Sequence, residues 1–203
     1  MGGAGGAKGD ASGGKDAEGR RRPMRADAQR NEDRLLRAAA AAFAREGAGA
    51  SVKDIAREAG VGVGTLYRRF PSKELLIEAT YRNEVQLLCD AAPELAGSQP
   101  PDQALRTWMT RFVAFMTTKH GMADALRVVL TDDNERLETR RNLAEAVHRL
   151  LAAAAAEGTV RPGVEAPAVL MALGGISVIA GSEGRPDLTA QMIDLLLHGV
   201  LAG

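Results

Sequence analysis

Residues 63–70 read Val-Gly-Thr-Leu-Tyr-Arg-Arg-Phe. Leu66 and Phe70 are spaced to anchor one face of a short helix, which leaves Val63, Gly64, Thr65, Arg68 and Arg69 on the other. A methyl-bearing side chain, a hydroxyl and two guanidiniums are groups that hold phosphates and read base edges. Bond-making chemistry is poorly provided for. Cys89 is the single cysteine, so neither an internal disulfide nor a cysteine-based zinc site is expected. His120, His148 and His198 are too scattered for a metal box. There is no glycine-rich phosphate loop, nucleophile elbow or metal-ligand spacing, so the reading is not an enzyme, with no cofactor and no metal.

The elements that would position this face follow from the flanking residues. Ser51 opens a short helix whose buried side is Val52, Ile55, Ala56 and Ala59, with Asp54 as a weaker relative of the capping-box acid. Gly60 supplies the positive φ of a tight turn, and Val61 plugs the core from that turn. Two short helices joined in this way form a helix-turn-helix layout. Before them, Leu35, Ala39 and Phe43, with Leu36 and Ala40, mark a helix from about Asp27 to Glu46, ended by Gly47 and Gly49. After them, Pro71 forces a break and Ser72 caps a fourth helix, Lys73 to about Asp90, and Pro93 with the Gly97–Pro101 stretch ends that unit. The periodicity then predicts helices over 102–118, 122–130, 133–157, 168–180 and 188–201. No window alternates like a strand, and no internal repeat appears. The fold class is all-α.

The formal net charge is zero, but it is unevenly spread. Residues 20–73 carry thirteen Lys/Arg against six acids, whereas residues 74–203 carry eleven against seventeen. On charge alone this is either a nucleic-acid-binding module on an acidic body or a basic tail on an ordinary domain. Residues 1–19 hold eight glycines and few bulky side chains, so disorder is expected there. Arg20, Arg21, Arg22 and Arg25 follow as a basic arm. No apolar run approaches the length of a membrane span and no secretory signal is visible, so a cytoplasmic location without membrane contact is expected.

The sequence resembles the TetR family of transcriptional regulators. Asp54-Ile55-Ala56, Ala59-Gly60-Val61, Gly64-Thr65-Leu66-Tyr67, Phe70 and Ser72-Lys73-Glu74-Leu75-Leu76 carry the resemblance, with Leu35, Ala38, Ala39, Phe43 and Gly47 upstream. It implies a domain at 25–71 that binds double-stranded DNA, behind a tail at 1–24. Residues 72–203 would then bind an effector and dimerise. It implies that Val63, Gly64 and Thr65 meet base edges, that Tyr67 and Lys73 contact phosphate, and that Ser51 sets helix amides near a phosphate. Gly62 departs from the usual Ser or Thr and loses a capping side chain. Arg69 stands where a polar residue is common and would hold phosphate or read guanine.

Two further groups stand out. Trp108, Met109, Phe112 and Met116 form a stripe, joined by Met122 and Leu126. The stripe is either plain core or the wall of a pocket for a small hydrophobic effector. The last two helices are apolar on more than one side, through residues that include Ile176, Ile179, Ile193, Leu196, Leu197 and Val200. A helix apolar on two sides needs a partner outside the chain, so these are expected at a homodimer interface, with Gly174 and Gly175 allowing close approach. The reading that results is a ligand-responsive repressor on a palindromic operator. The alternative is a DNA-binding protein with no effector pocket.

Overall fold

The computed structural model describes residues 15–183 and 185–202, with side chains for 27–179 and 185–202. Nine α-helices make up the described chain. They are α1 (Lys15–Glu46), α2 (Val52–Glu58), α3 (Val63–Arg69), α4 (Lys73–Ser98), α5 (Pro101–Gly121), α6 (Ala123–Val129), α7 (Asp133–Ala156), α8 (Ala166–Glu183) and α9 (Pro186–Val200). A single 3-10 turn, Gly47–Gly49, joins α1 to α2. The all-α expectation holds.

Two helix limits differ from the sequence reading. The first helix begins at Lys15 rather than near Asp27. Residues 1–14 of the expected tail, and the side chains of Arg20, Arg21, Arg22 and Arg25, lie outside the described residues. The fourth helix runs on through Pro93 to Ser98. An interior proline removes a backbone donor and crowds the preceding turn, at a cost of about 3 kcal/mol. Ala91, Ala92 and Leu95 surround Pro93 in sequence and are all buried, so packing of this last stretch outweighs the local penalty.

The core is continuous from the N-terminal helices to the C-terminal ones. Phe43, Ile55 and Leu66 bury completely in the first three helices, and Ile77 and Tyr81 carry the apolar seam up α4 to Trp108, Leu150 and Leu173. Ion pairs brace it at the surface. Arg45 meets Glu58 at 2.9 Å, Arg82 meets Glu135 of α7 at 2.8 Å, and Arg106 of α5 pairs with both oxygens of Asp194 of α9 at 2.7 and 3.1 Å.

The N-terminal helices are joined to the rest at a bare backbone contact. A Cβ placed on Gly47 would lie 2.7 Å from the Gly121 carbonyl oxygen, and one on Gly121 would lie 2.6 Å from the Phe43 carbonyl oxygen. Gly47 also has φ +62°. The end of α1 and the end of α5 therefore touch where only glycine fits.

Candidate nucleic-acid interface

The turn between α2 and α3 is closed by hydrogen bonds that its residues dictate. Ser51 is extended, and its hydroxyl accepts from the Asp54 amide at 3.4 Å. At the other end of α2, Gly60 has φ +67°, the Gly60 amide donates to the Arg57 carbonyl at 3.1 Å, and the Val61 amide donates to the Ala56 carbonyl at 3.0 Å. This paired arrangement satisfies the last carbonyls of α2 and needs a left-handed residue at the glycine position. Gly62 then caps α3 with its backbone alone. Ser72 caps α4, its hydroxyl accepting from the Leu75 amide at 3.3 Å. The Glu74 carboxyl is held below its usual range by its own backbone amide and by Ser72.

On α3 only Leu66 turns fully inward. Gly64, Thr65, Tyr67, Arg68 and Arg69 are exposed, with Tyr67 at 45%, while Val63, Ser51 and Lys73 are half-buried and Gly62 is exposed. Among the described residues, no neighbour lies within 4 Å of a Cβ built on Gly64, so this stretch of backbone is open to close approach. A phenol, a hydroxyl, an ammonium and two guanidiniums thus share one end of the molecule. Two of these groups have partners that the sequence did not reveal. Arg68 donates to the Thr65 hydroxyl at 3.0 Å. Arg69 donates to the Glu32 carboxylate of α1 at 2.7 Å and lies 5.5 Å from the Phe70 ring centroid. Hydrogen bonding and charge from Glu32 raise the Arg69 pKa. A pairing across 37 residues leaves no local periodic signal.

The stripe on α5 is packed. Trp108 and Met109 are completely buried, Phe112, Met122 and Leu126 are buried, and Met116 is half-buried. The Trp108 indole donates to the Leu88 carbonyl at 2.9 Å. Two open surface clefts of about 370 and 460 Å³ lie along α1, the first lined by Asp27, Arg30, Asn31, Asp33, Arg34 and Arg37, the second by Arg34, Arg37, Ala38, Glu58, Ala59 and Gly60. None of the six stripe residues lines either.

The last two helices divide differently from the sequence reading. Ile176, Ile193, Leu197 and Val200 are buried inside the chain, so Ile176 is not an exposed position; Leu196 is half-buried and Ile179 exposed. The most exposed large apolar residues on these helices are Met171 at 79%, Leu195 at 73% and Val178 at 58%. Among the described residues, Cβ atoms built on Gly174, Gly175 and Gly199 would meet nothing within 4 Å. α8 carries apolar residues on every side in sequence, so its periodicity could not tell the inner face from the outer one, whereas Asp187, Gln191, Asp194 and His198 mark a polar stripe on α9.

A helix-turn-helix with an exposed second helix, carried on an all-helical body, defines the class as a DNA-binding regulator. Residues 35–80 match the family described as bacterial regulatory proteins, tetR family, and residues 100–202 match the transcriptional regulator SbtR-like C-terminal domain. The chain belongs to the TetR family of transcriptional regulators. It is 44% identical to a TetR transcriptional regulator from Streptomyces coelicolor, with a TM-score of 0.76 over 83% of this chain and 97% of that one. It is 32% identical to a TetR transcription regulatory protein from Mycobacterium vanbaalenii, with a TM-score of 0.71 over 89% and 100%. It shares its fold with the TetR-like regulator LfrR from Mycobacterium smegmatis, solved in complex with proflavine, at 24% identity and a TM-score of 0.59 over 85% and 95%. Among the described residues, no helix is long and apolar enough to cross a membrane.

Proposed function

We propose that this transcriptional regulator is a homodimeric repressor that holds a palindromic operator through α3 and releases it when a small, mainly apolar effector binds the C-terminal helices. The observation that carries the reading is the open outer face of α3, with Tyr67 exposed beside Thr65 and Gly64. Residues 25–71 would form the DNA-binding domain and 72–203 the effector-binding and dimerisation domain. One recognition helix touches too few base pairs for useful specificity, so two copies are required. Exposed Met171, Val178 and Leu195 on α8 and α9 support pairing of these helices with their mates as a four-helix interface.

Tyr67 and Lys73 would hold phosphate, and Val63, Gly64 and Thr65 would meet bases. Arg69 sits at the same end, and Glu32 takes only one of its three guanidinium nitrogens. The effector would lie against Trp108, Met109, Phe112, Met116, Met122 and Leu126, entering by displacing the half-buried Met116 rather than by filling a ready void. The tight packing of Trp108 and Met109 favours a second reading, a regulator with no effector at all.

The DNA reading is tested by titrating duplex DNA at several salt concentrations. Lys73→Ala should weaken binding to all sequences alike and reduce the salt slope by about 0.9, one phosphate contact. Thr65→Ala should change sequence preference instead. An unchanged slope in the Lys73 variant would remove the phosphate role. Met116→Trp should abolish effector release while operator binding persists; if no small molecule ever releases operator from the unmodified protein, the second reading stands.

A further inference from the structure

Arg68 occupies the middle of the outward face of α3. At roughly 100° per residue it lies about 180° round the helix from the midpoint of Leu66 and Phe70, which fill the core. Gly64 and Thr65 lie on either side of it, one turn back. Arg68 is exposed, and its Nη2 donates to the Thr65 hydroxyl at 3.0 Å. Thr65 is its one side-chain partner among the described residues, and it makes no ion pair there. A bond to the third residue before it folds this long side chain toward the N-terminal half of α3, the direction in which helical side chains already lean. The guanidinium therefore lies beside Thr65 rather than beyond the end of the helix. Recognition helices meet base edges with that N-terminal half. Gly64, four residues before Arg68, has no side chain to cover the approach, and among the described residues nothing lies within 4 Å of a Cβ built there.

The neighbouring arginine is committed elsewhere. Arg69 Nη2 donates to Glu32 of α1 at 2.7 Å, and its Cζ lies 5.5 Å from the Phe70 ring centroid. The Glu32 side chain is only 23% exposed, so this pair braces α3 against α1 and holds Arg69 to one side of the outward face. Two adjacent arginines have equal standing in the sequence, and the fold separates them.

We infer that Arg68, rather than Arg69, is the specificity-determining arginine of α3, and that it reads a guanine in the major groove of each half-site. This rests on the reading of α3 as the recognition helix. Guanine presents two acceptors there, O6 and N7, and a guanidinium meets them with two parallel N–H groups. Thr65 uses one hydrogen of Nη2. Whichever of the two it uses, one edge of the guanidinium, Nη1 with Nη2 or Nε with Nη2, keeps its pair of N–H groups free. The same bond holds the fork in place before DNA arrives, which reduces the rotamer freedom lost on binding. The side chains of Val63 and Gly64 carry no hydrogen-bonding group and cannot make this contact.

The test uses the full chain and duplexes that it selects from a random library. The selected half-site should hold a guanine at one fixed position, and changing that base should weaken binding about tenfold. Arg68→Ala, a change at an exposed site, should lose the preference at that position and keep it at the others, whereas Arg69→Ala should retain it. The sharper probe is the selected duplex with 7-deazaguanine at that position, which lacks the N7 acceptor and still pairs with cytosine. The unmodified protein should bind it several-fold more weakly than the guanine duplex, and Arg68→Ala should bind the two equally. A half-site without guanine, a guanine preference that survives Arg68→Ala, or an equal loss on all duplexes with a flatter salt dependence, the mark of a phosphate contact, overturns the proposal. Each of these results leaves α3 as the helix that reads DNA. Failure to enrich any sequence removes that reading and the role of Arg68 together.

Discussion

Replacing Gly121 by alanine should loosen the joint between the N-terminal helices and the rest. The added methyl would lie 2.6 Å from the Phe43 carbonyl oxygen and 3.4 Å from the Gly47 Cα. The first distance falls short of ordinary contact by roughly 0.8 Å, and its partner is backbone on a helix end, which cannot rotate aside. Overpacking of this kind costs about 1–3 kcal/mol. For a chain of this size that corresponds to a fall in Tm of roughly 3–10 °C. The assay is thermal unfolding followed by helical circular dichroism and by Trp108 fluorescence. Gly97→Ala is the matched control, because a Cβ there meets nothing within 4 Å and the residue is inside α4. Alanine at that position should stabilise by up to about 1 kcal/mol. If Gly121→Ala melts within a degree of the unmodified protein, the close contact is not a constraint, and the reasoning about the joint fails.

Other outcomes follow from the same structure. Gly62→Ser should raise stability by a few tenths of a kcal/mol, because it restores a capping hydroxyl to α3 and its Cβ has 3.8 Å of room to the Thr65 hydroxyl; urea unfolding measures it. Leu195→Glu places a charge on the outward apolar face and should give monomers by light scattering, whereas a stable dimer from this variant would place the interface elsewhere. Glu84 is half-buried, has no ion-pair or hydrogen-bond partner among the described residues, and burial raises its pKa. Its folded pKa lies above the unfolded one, so its stabilising contribution is complete below the unfolded value and is lost as pH rises through the folded value. Glu84→Gln should therefore raise stability at pH 7 and flatten the loss between acidic and neutral pH, read from denaturant midpoints across that range. Glu32→Gln should change stability by less than about 1 kcal/mol, because the Arg69 pair is exposed on the arginine side.

The parts of the fold marked by local chemistry were legible in the sequence. Ser51, Gly60, Pro71 and Ser72 fix the limits of α2, α3 and the start of α4 through caps, a left-handed turn and a break, and each acts within a few residues. Gly158 ends α7 in the same way, with φ +69°. The last turns of α4 beyond Asp90 were not legible, because Pro93 signals a stop locally and the burial of Leu95 overrides it at a distance, although the helix does end within the Gly97–Pro101 stretch. The outer residues of α3 could be named from spacing, but the Glu32–Arg69 pair could not. For α8, apolar residues on every side, and for α9 an apolar arc wider than one face, told that a partner is needed without telling which residues meet it. Ile176 and Leu197 turn inward, and Met171 and Leu195 turn outward. The aromatic stripe was visible as composition, whereas its packing against Tyr81 and Leu88 depends on how α4 crosses α5.

The central claim is that a dimer of this chain reads DNA through α3. Selection of duplexes from a random library by the purified protein tests it most directly. The account predicts enrichment of an inverted repeat with equal half-sites about one helical turn or a multiple apart, and a changed half-site when Thr65 is replaced. No enrichment, or a single asymmetric site indifferent to Thr65, would contradict it.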